Sequence, residues 1–154
     1  MNPDTPPQSI GLQDPRNDLN SRDALLQTIT LPVSVFLPGT SAANTANYGH
    51  FFVSNRAYRF MGASEVHGTA GTDASAVLLN IEKLVPGTAT GGGFGKTLIT
   101  SLSMKTTANV PQHAVVSVVG ADRILRKGDS LALLTGGSFT AVADVAVTVY
   151  LQEI

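Results

Sequence analysis

The chain is predicted to be all-β, an antiparallel β-sandwich or jelly roll with an extended N-terminal arm. Three observations lead there. From Gln27 onward, apolar and polar residues alternate with a period of two, as in half-buried strands. The alternating runs are short and separated by explicit turn sequences, "GTAGTD", "VPGTATGGGFG", "RKGD" and "TGGS". No segment beyond Gln27 carries a helical apolar period with caps at its ends.

The arm comes first. Residues 1–25 hold four of the eight prolines, Pro3, Pro6, Pro7 and Pro15. Proline at that density blocks helix and central strand alike, so an extended segment is expected. Two arginines against four aspartates leave it a net charge of −2, and the rest of the chain +1. "SRDALLQ", Ser21 to Gln27, has the make-up of one helical turn before the sandwich domain, 26–154.

The strands follow. In "TITLPVSVFL", Ile29, Leu31, Val33, Val35 and Leu37 share one face, and Pro32, which cannot donate to a ladder, points to an edge strand or the first residue of one. "PGTSAANTANYG" reads as a loop. "HFFVSNRAYRFMGASEVH" holds two strands around Ser54-Asn55, the second with Tyr58, Phe60, Ser64 and Val66 at alternating positions. In "ASAVLLNIEKLV", Val77, Leu79 and Ile81 form one face, with Leu78 and Leu84 on the other. "TLITSLSM" points Leu98, Leu102 and Met104 inward, and "AVVSVVG", "DSLALLT" and "VAVTVYLQ" complete the set. The last is the cleanest, with Val145, Val147, Val149 and Leu151 opposite Ala146, Thr148, Tyr150 and Gln152.

Composition narrows the partners. A chain of 154 residues, 43% hydrophobic, suits one domain with its own core. Its 14% charged residues fall well below the roughly 25% of ordinary soluble domains. So sparsely ionised a surface is best tolerated where copies of the chain, or a larger partner, cover it. A formal charge of −1 argues against a general nucleic-acid binder. Absence of cysteine removes disulfides, thiolate metal sites and cysteine nucleophiles together. The N-terminus has neither the basic nor the apolar region of a signal peptide, and no apolar run approaches a membrane span. Neither nucleic acid nor membrane is expected as a partner.

Chemistry is suggested at three places. "TATGGGFGKT", Thr88 to Thr97, has the glycines and lysine of a phosphate-cradling loop. The spacing fails: the leading glycine of a P-loop would fall at Thr90, and the "LITSLSMK" that follows alternates as a strand where a helix is required. The same "GGFGKT", with "AGTDASA" from Ala70 to Ala76, resembles segments of the trimeric dUTP pyrophosphatases, jelly rolls of similar length. That enzyme is the alternative reading. Against it, the two segments lie only one strand apart, the family's central aspartate–tyrosine motif has no counterpart between Asp73 and Gly91, and its Gly-rich arginine is missing.

Glu65 and His67, two apart on a strand, share a face and have the types for acid–base or metal chemistry. With His50 and His113 elsewhere and no ligand spacing, a solvated or partner-facing strand is the simpler expectation. "RILRK", Arg123 to Lys127, is a small basic cluster beside a turn and suits contact with a protein. No catalytic residue, metal ligand or cofactor site is assigned.

Residues 48–152 resemble small structural proteins of tailed-bacteriophage heads, the capsid decoration (cement) and head-fibre proteins. The elements that carry the likeness are Glu-Val-His before Gly-Thr-Ala-Gly-Thr-Asp, a strand ending Ile-Glu-Lys-Leu, then Thr-Ala-Asn, "LRKGDSLALL" and a closing "VAVTVYLQ". The resemblance implies a homotrimeric β-sandwich, made in the host cytoplasm and seated on the outer capsid surface, where it binds the major capsid protein and stabilises the head. It implies contacts through the arm, at Pro3, Pro6, Pro7, Ile10, Leu12 and Pro15, and through Arg123, Arg126 and Lys127. The head-fibre side of the likeness implies glycan binding instead, for which Tyr48 and Tyr58 are the stacking candidates.

Overall fold

The computed structural model describes residues 30–40, 49–93 and 95–154. The proline-rich arm, the turn expected at Ser21–Gln27, Tyr48 and Phe94 lie outside these residues. Among the described residues, ten strands make two antiparallel sheets: β1 (Thr30–Thr40), β2 (His50–Val53), β3 (Tyr58–Val66), β4 (Leu78–Leu84), β5 (Lys96–Thr97), β6 (Leu102–Ser103), β7 (Gln112–Ala114), β8 (Ile124–Leu125), β9 (Ser130–Gly136) and β10 (Ala143–Glu153). The first sheet runs β1-β10-β3, with β7 and β8 side by side along the far flank of β3. The second runs β2-β9-β4, with β5 and β6 along the far flank of β4. Among the described residues the only helical element is one 3-10 turn, Gly120–Arg123. The fold is an all-β sandwich, as expected.

The pairings nest. β1 pairs with β10, β2 with β9, β3 with β7 and β8, and β4 with β5 and β6. First thus meets last and second meets second-last, as in one long antiparallel ribbon turned back on itself. From β1 to β4 consecutive strands alternate between sheets, so β2 and β3 do not form a hairpin although only Ser54–Ala57 separates them.

The core lies between the sheets. From the first come Tyr58, Phe60, Val145, Val147, Val149 and Leu151; from the second, Leu79, Ile81, Leu131 and Leu133. Each fully buried aliphatic side chain contributes about 1.5–3 kcal/mol of transfer free energy, which is why the period-two pattern dictates the architecture. Val33, Val35 and Leu37 of β1 pack against this core only half-buried, and Leu31 is exposed, because β1 is an edge strand. Pro32 and Pro38 sit on β1 as the edge position allows.

Three expectations need correction. β3 does not keep one alternation. Leu151 pairs with Phe60 and Tyr150 with Gly62, so Met61 is an extra residue opposite β10. Gly62, at φ 155°, supplies a backbone angle that side chains disfavour. The bulge turns Ser64 and Val66 to the face opposite Tyr58 and Phe60, and sends Ala63, Glu65 and His67 inward. "TLITSLSM" is not one strand but β5 and β6 with a break, although Leu98, Leu102 and Met104 are buried as expected. "AVVSVVG" continues only as far as Ala114 of β7 and a lone bridge from Val116 to Ile99, leaving Val115 and Val119 exposed.

Truncating the core should therefore differ sharply from truncating the outer face. Phe60→Ala is expected to cost about 3–5 kcal/mol. Phe36→Ser, at a side chain 59% exposed, should stay within about 0.5 kcal/mol of wild type. Denaturant midpoints of the two variants measure this, and equal losses would contradict the assigned faces.

Candidate functional site

The Gly-rich loop turns out to hold an anion, but one of the protein's own. Glu82 lies on the face of β4 away from Leu79 and Ile81, yet it is only 3% exposed. The loop after β4 covers it. A turn fixed by Thr88, whose N–H and hydroxyl both donate to the Val85 carbonyl (3.2 and 2.6 Å), brings the chain back. The Gly91 N–H then donates to Glu82 Oε2 at 3.1 Å. A Cβ on Gly95 would overlap the Glu82 carboxylate, so glycine is required there by close approach alone. Backbone N–H groups and glycines suit an anion whether it is a phosphate or a carboxylate. Here the carboxylate is internal, and its charge opposes a phosphate at the same place.

The second buried polar cluster follows from the β3 bulge. Glu65 and His67 are 2% and 0% exposed, so the solvated strand expected of them is overturned. His67 Nδ1 lies 2.8 Å from Glu65 Oε1. Gln112 of β7 donates through Nε2 to Glu65 Oε2 (2.8 Å) and to the Ser103 carbonyl (2.9 Å), tying both sheets to the pair. His67 Nε2 lies 3.2 Å from the Thr106 carbonyl, which can only accept, so this nitrogen carries a hydrogen. Burial pushes the Glu65 carboxyl above the ordinary carboxylate range, opposed by the hydrogen bonds from His67 and Gln112. The bonding capacity of this cluster is satisfied inside the core, where it joins strands.

The remaining candidates disperse. His50 is hydrogen-bonded to Ser130 (2.8 Å), and His113 is exposed on the outer face of the first sheet. Among the described residues no three His, Cys, Asp or Glu side chains group as a metal site. Asp73 accepts from the Ser75 N–H (2.7 Å), closing its own turn. Tyr58 is no stacking platform: it is 6% exposed, edge-on to Phe52 at 5.9 Å, and its hydroxyl donates to Asn55.

The basic cluster is a cleft. About 490 Å³ opens where β4 ends beside β8 and the turn before β9, lined in part by Lys83, Asp122, Arg126, Lys127 and Asp129. Lys83 Nζ donates across the sheets to the Ile124 carbonyl (3.0 Å). Asp122 pairs with Lys96 (3.0 Å), and Asp129 accepts the Arg126 N–H (2.8 Å). The Arg126 and Lys127 side chains are exposed, and among the described residues their charges meet no partner. Arg123 turns back, its Nε donating to the Phe60 carbonyl (3.0 Å).

Sequence reading missed a further surface. On the outer face of the first sheet, register aligns Phe36–Ala146–Val66, then Ser34–Thr148–Ser64–His113, then Pro32–Tyr150–Gly62. Ser34 and Thr148 share a hydrogen bond (2.8 Å), as do Ser64 and Tyr150 (3.0 Å). No Asp, Glu, Lys or Arg occurs in these three rows. The alternate residues of "VAVTVYLQ" were the signal in the sequence, but only pairing shows that their neighbours are uncharged as well.

Comparison with known proteins adds little. No protein-family model and no curated protein matches this sequence. A chain from a structure described as "Bacillus endospore appendages form a novel family of disulfide-linked pili" aligns over 81% of this chain and 88% of its own, at 12% identity and a TM-score of 0.36. A likeness that low carries no argument about role.

Two outcomes check the buried clusters. Gly95→Ala should cost about 1–3 kcal/mol through overpacking, and much less in a Glu82→Ala background, so a double-mutant cycle on denaturant midpoints should give a clear coupling. For Glu65, the folded chain holds the carboxyl proton more tightly than the unfolded chain does. Its contribution to stability is therefore complete below the ordinary carboxylate range and is lost as pH rises through the raised folded value. Glu65→Gln should remove that part of the decline. Parallel stability–pH profiles for the two proteins would show the assignment to be wrong.

Proposed function

We propose that this chain is a capsid decoration (cement) protein, a homotrimer on the outer surface of a bacteriophage head that binds the major capsid protein and acts by contact without turnover. What supports the reading is the outer face of the first sheet: three cross-strand rows without Asp, Glu, Lys or Arg, which another β surface or a shell subunit can cover. Desolvating such a face carries little of the penalty that buried charges impose. Its hydroxyl row can exchange water for hydrogen bonds to a partner, and its Phe36–Ala146–Val66 row supplies apolar area.

The arm belongs to the same reading. An extended, proline-rich segment can lie across neighbouring subunits and cover much area per residue, at the cost of its ordering on binding. Pro3, Pro6, Pro7, Ile10, Leu12 and Pro15 are its proposed contacts, with Arg123, Arg126 and Lys127 as basic contacts on the body. Two of the three places where the sequence suggested chemistry have structural work. The loop at Gly91–Gly95 covers Glu82, and Glu65 and His67 join strands inside the core.

Co-sedimentation with intact particles tests this. The wild-type chain should pellet at a fixed ratio to the shell protein. A chain lacking residues 1–25, and a Phe36→Lys/Val66→Lys chain, should each stay in the supernatant while keeping a β circular-dichroism spectrum. Full occupancy by both variants would remove the proposed contacts. Release of pyrophosphate from dUTP with magnesium would favour the enzyme instead.

A further inference from the structure

The cleft beside β8 holds a cation where the strand pattern calls for an apolar residue. Lys83 follows Leu79 and Ile81 on the inward face of β4 and pairs with Leu131, which is fully buried. Its half-buried side chain crosses between the sheets, and Nζ donates to the Ile124 carbonyl at 3.0 Å. That carbonyl is neutral and takes only one of the three N–H donors of the ammonium. On the other flank of β4, Lys83 stands directly opposite Lys96 of β5. Like charges so placed destabilise the pair unless an anion lies near them. Asp122 answers Lys96 at 3.0 Å, whereas among the described residues no carboxylate answers Lys83.

The mouth of the cleft is held in place. Asp129 closes the turn before β9 twice, its N–H donating to the Arg126 carbonyl (2.9 Å) and its carboxylate accepting the Arg126 N–H (2.8 Å). Gly128, at φ 92°, donates to the Ser54 carbonyl (2.8 Å), and a Cβ there would lie 3.2 Å from Pro86. This turn presents the exposed Arg126 and Lys127 side chains beside the apolar Val85 and Ile124. A phosphate brings close to two negative charges at neutral pH, which Asp122 and Asp129 on the same walls oppose. A carboxylate brings one, and its aliphatic stem suits the apolar wall. We propose that this cleft binds a glutamate side chain from an acidic, aliphatic segment of a partner protein, with Lys83 as the deep contact and Arg126 and Lys127 at the mouth. The site belongs to the isolated chain and does not depend on the capsid reading, which co-sedimentation tests separately. If that reading also holds, the glutamate belongs to the shell protein.

Titrating the full ¹⁵N-labelled chain with a blocked Gly-Leu-Glu-Leu-Gly peptide tests the site. The Lys83, Val85, Ile124, Lys127 and Gly128 amide signals should shift and saturate, and those of β1 should stay. The same peptide with glutamine in place of glutamate should bind about 10–100-fold more weakly, the loss expected of a hydrogen bond to a charged group. Lys83→Met should produce a similar loss for the glutamate peptide. That change also removes the bond to Ile124, so Arg126→Gln/Lys127→Gln, altered only at exposed side chains, serves as the second variant and should weaken binding severalfold. No saturable shift up to about 10 mM peptide would overturn the proposal. Equal affinity for the glutamine peptide, or unchanged affinity in both protein variants, would do the same. Tighter binding of inorganic phosphate or a single-stranded oligonucleotide at the same amides would also overturn it, because the cleft would then select phosphate.

Discussion

Gly62 allows β3 to carry one residue more than the β10 segment it pairs with, and the interior of the sandwich is arranged around that insertion. Before the bulge, β3 directs Tyr58 and Phe60 inward; beyond it, Ala63, Glu65 and His67 take the inward positions. Without the extra residue, Ser64 and Val66 would enter the core, and Glu65 and His67 would face solvent. The hydroxyl row on the outside and the carboxyl–imidazole pair on the inside are thus two consequences of one local irregularity.

Burying carboxyl groups is costly unless their bonding is met, and this chain meets it in two ways. Glu65 is satisfied by side chains, with His67 on its own strand and Gln112 on the neighbouring one. Glu82 is covered by backbone, through the Gly91 N–H and a loop whose Gly95 has no Cβ to obstruct it. The first arrangement joins β3 to β7 through side chains. The second closes one flank of β4 by means of its own connection. In each, residues typical of reactive sites hold the fold together.

The surface has the opposite character. Lys83, Asp122, Arg126, Lys127 and Asp129 line the cleft beside β8, while the outer rows of the first sheet hold no Asp, Glu, Lys or Arg. The free edge of β1 bears two prolines, each lacking the N–H that an added strand would need, and this limits uncontrolled sheet extension. The outer rows thus carry no Asp, Glu, Lys or Arg, and the strand at their edge bears two prolines.

Alternation along the chain was sufficient to establish the sandwich, its edge strand and most of its core, because a period of two has one solution when one face must leave water. Val145 to Leu151, Val77 to Ile81 and the buried Leu98, Leu102 and Met104 were legible for that reason. Sequence also disqualified the P-loop, since spacing alone denied it a leading glycine and a following helix. It could not show what the glycines do instead, because Glu82 meets Gly91 and Gly95 only after the chain has turned back. Nor could it orient Glu65 and His67, whose direction depends on a bulge created by pairing with β10, or show that uncharged residues from four strands line up across one face. Local pattern determines which residues seek the interior. Register between distant strands, which no local pattern encodes, decided where the polar and neutral groups came together.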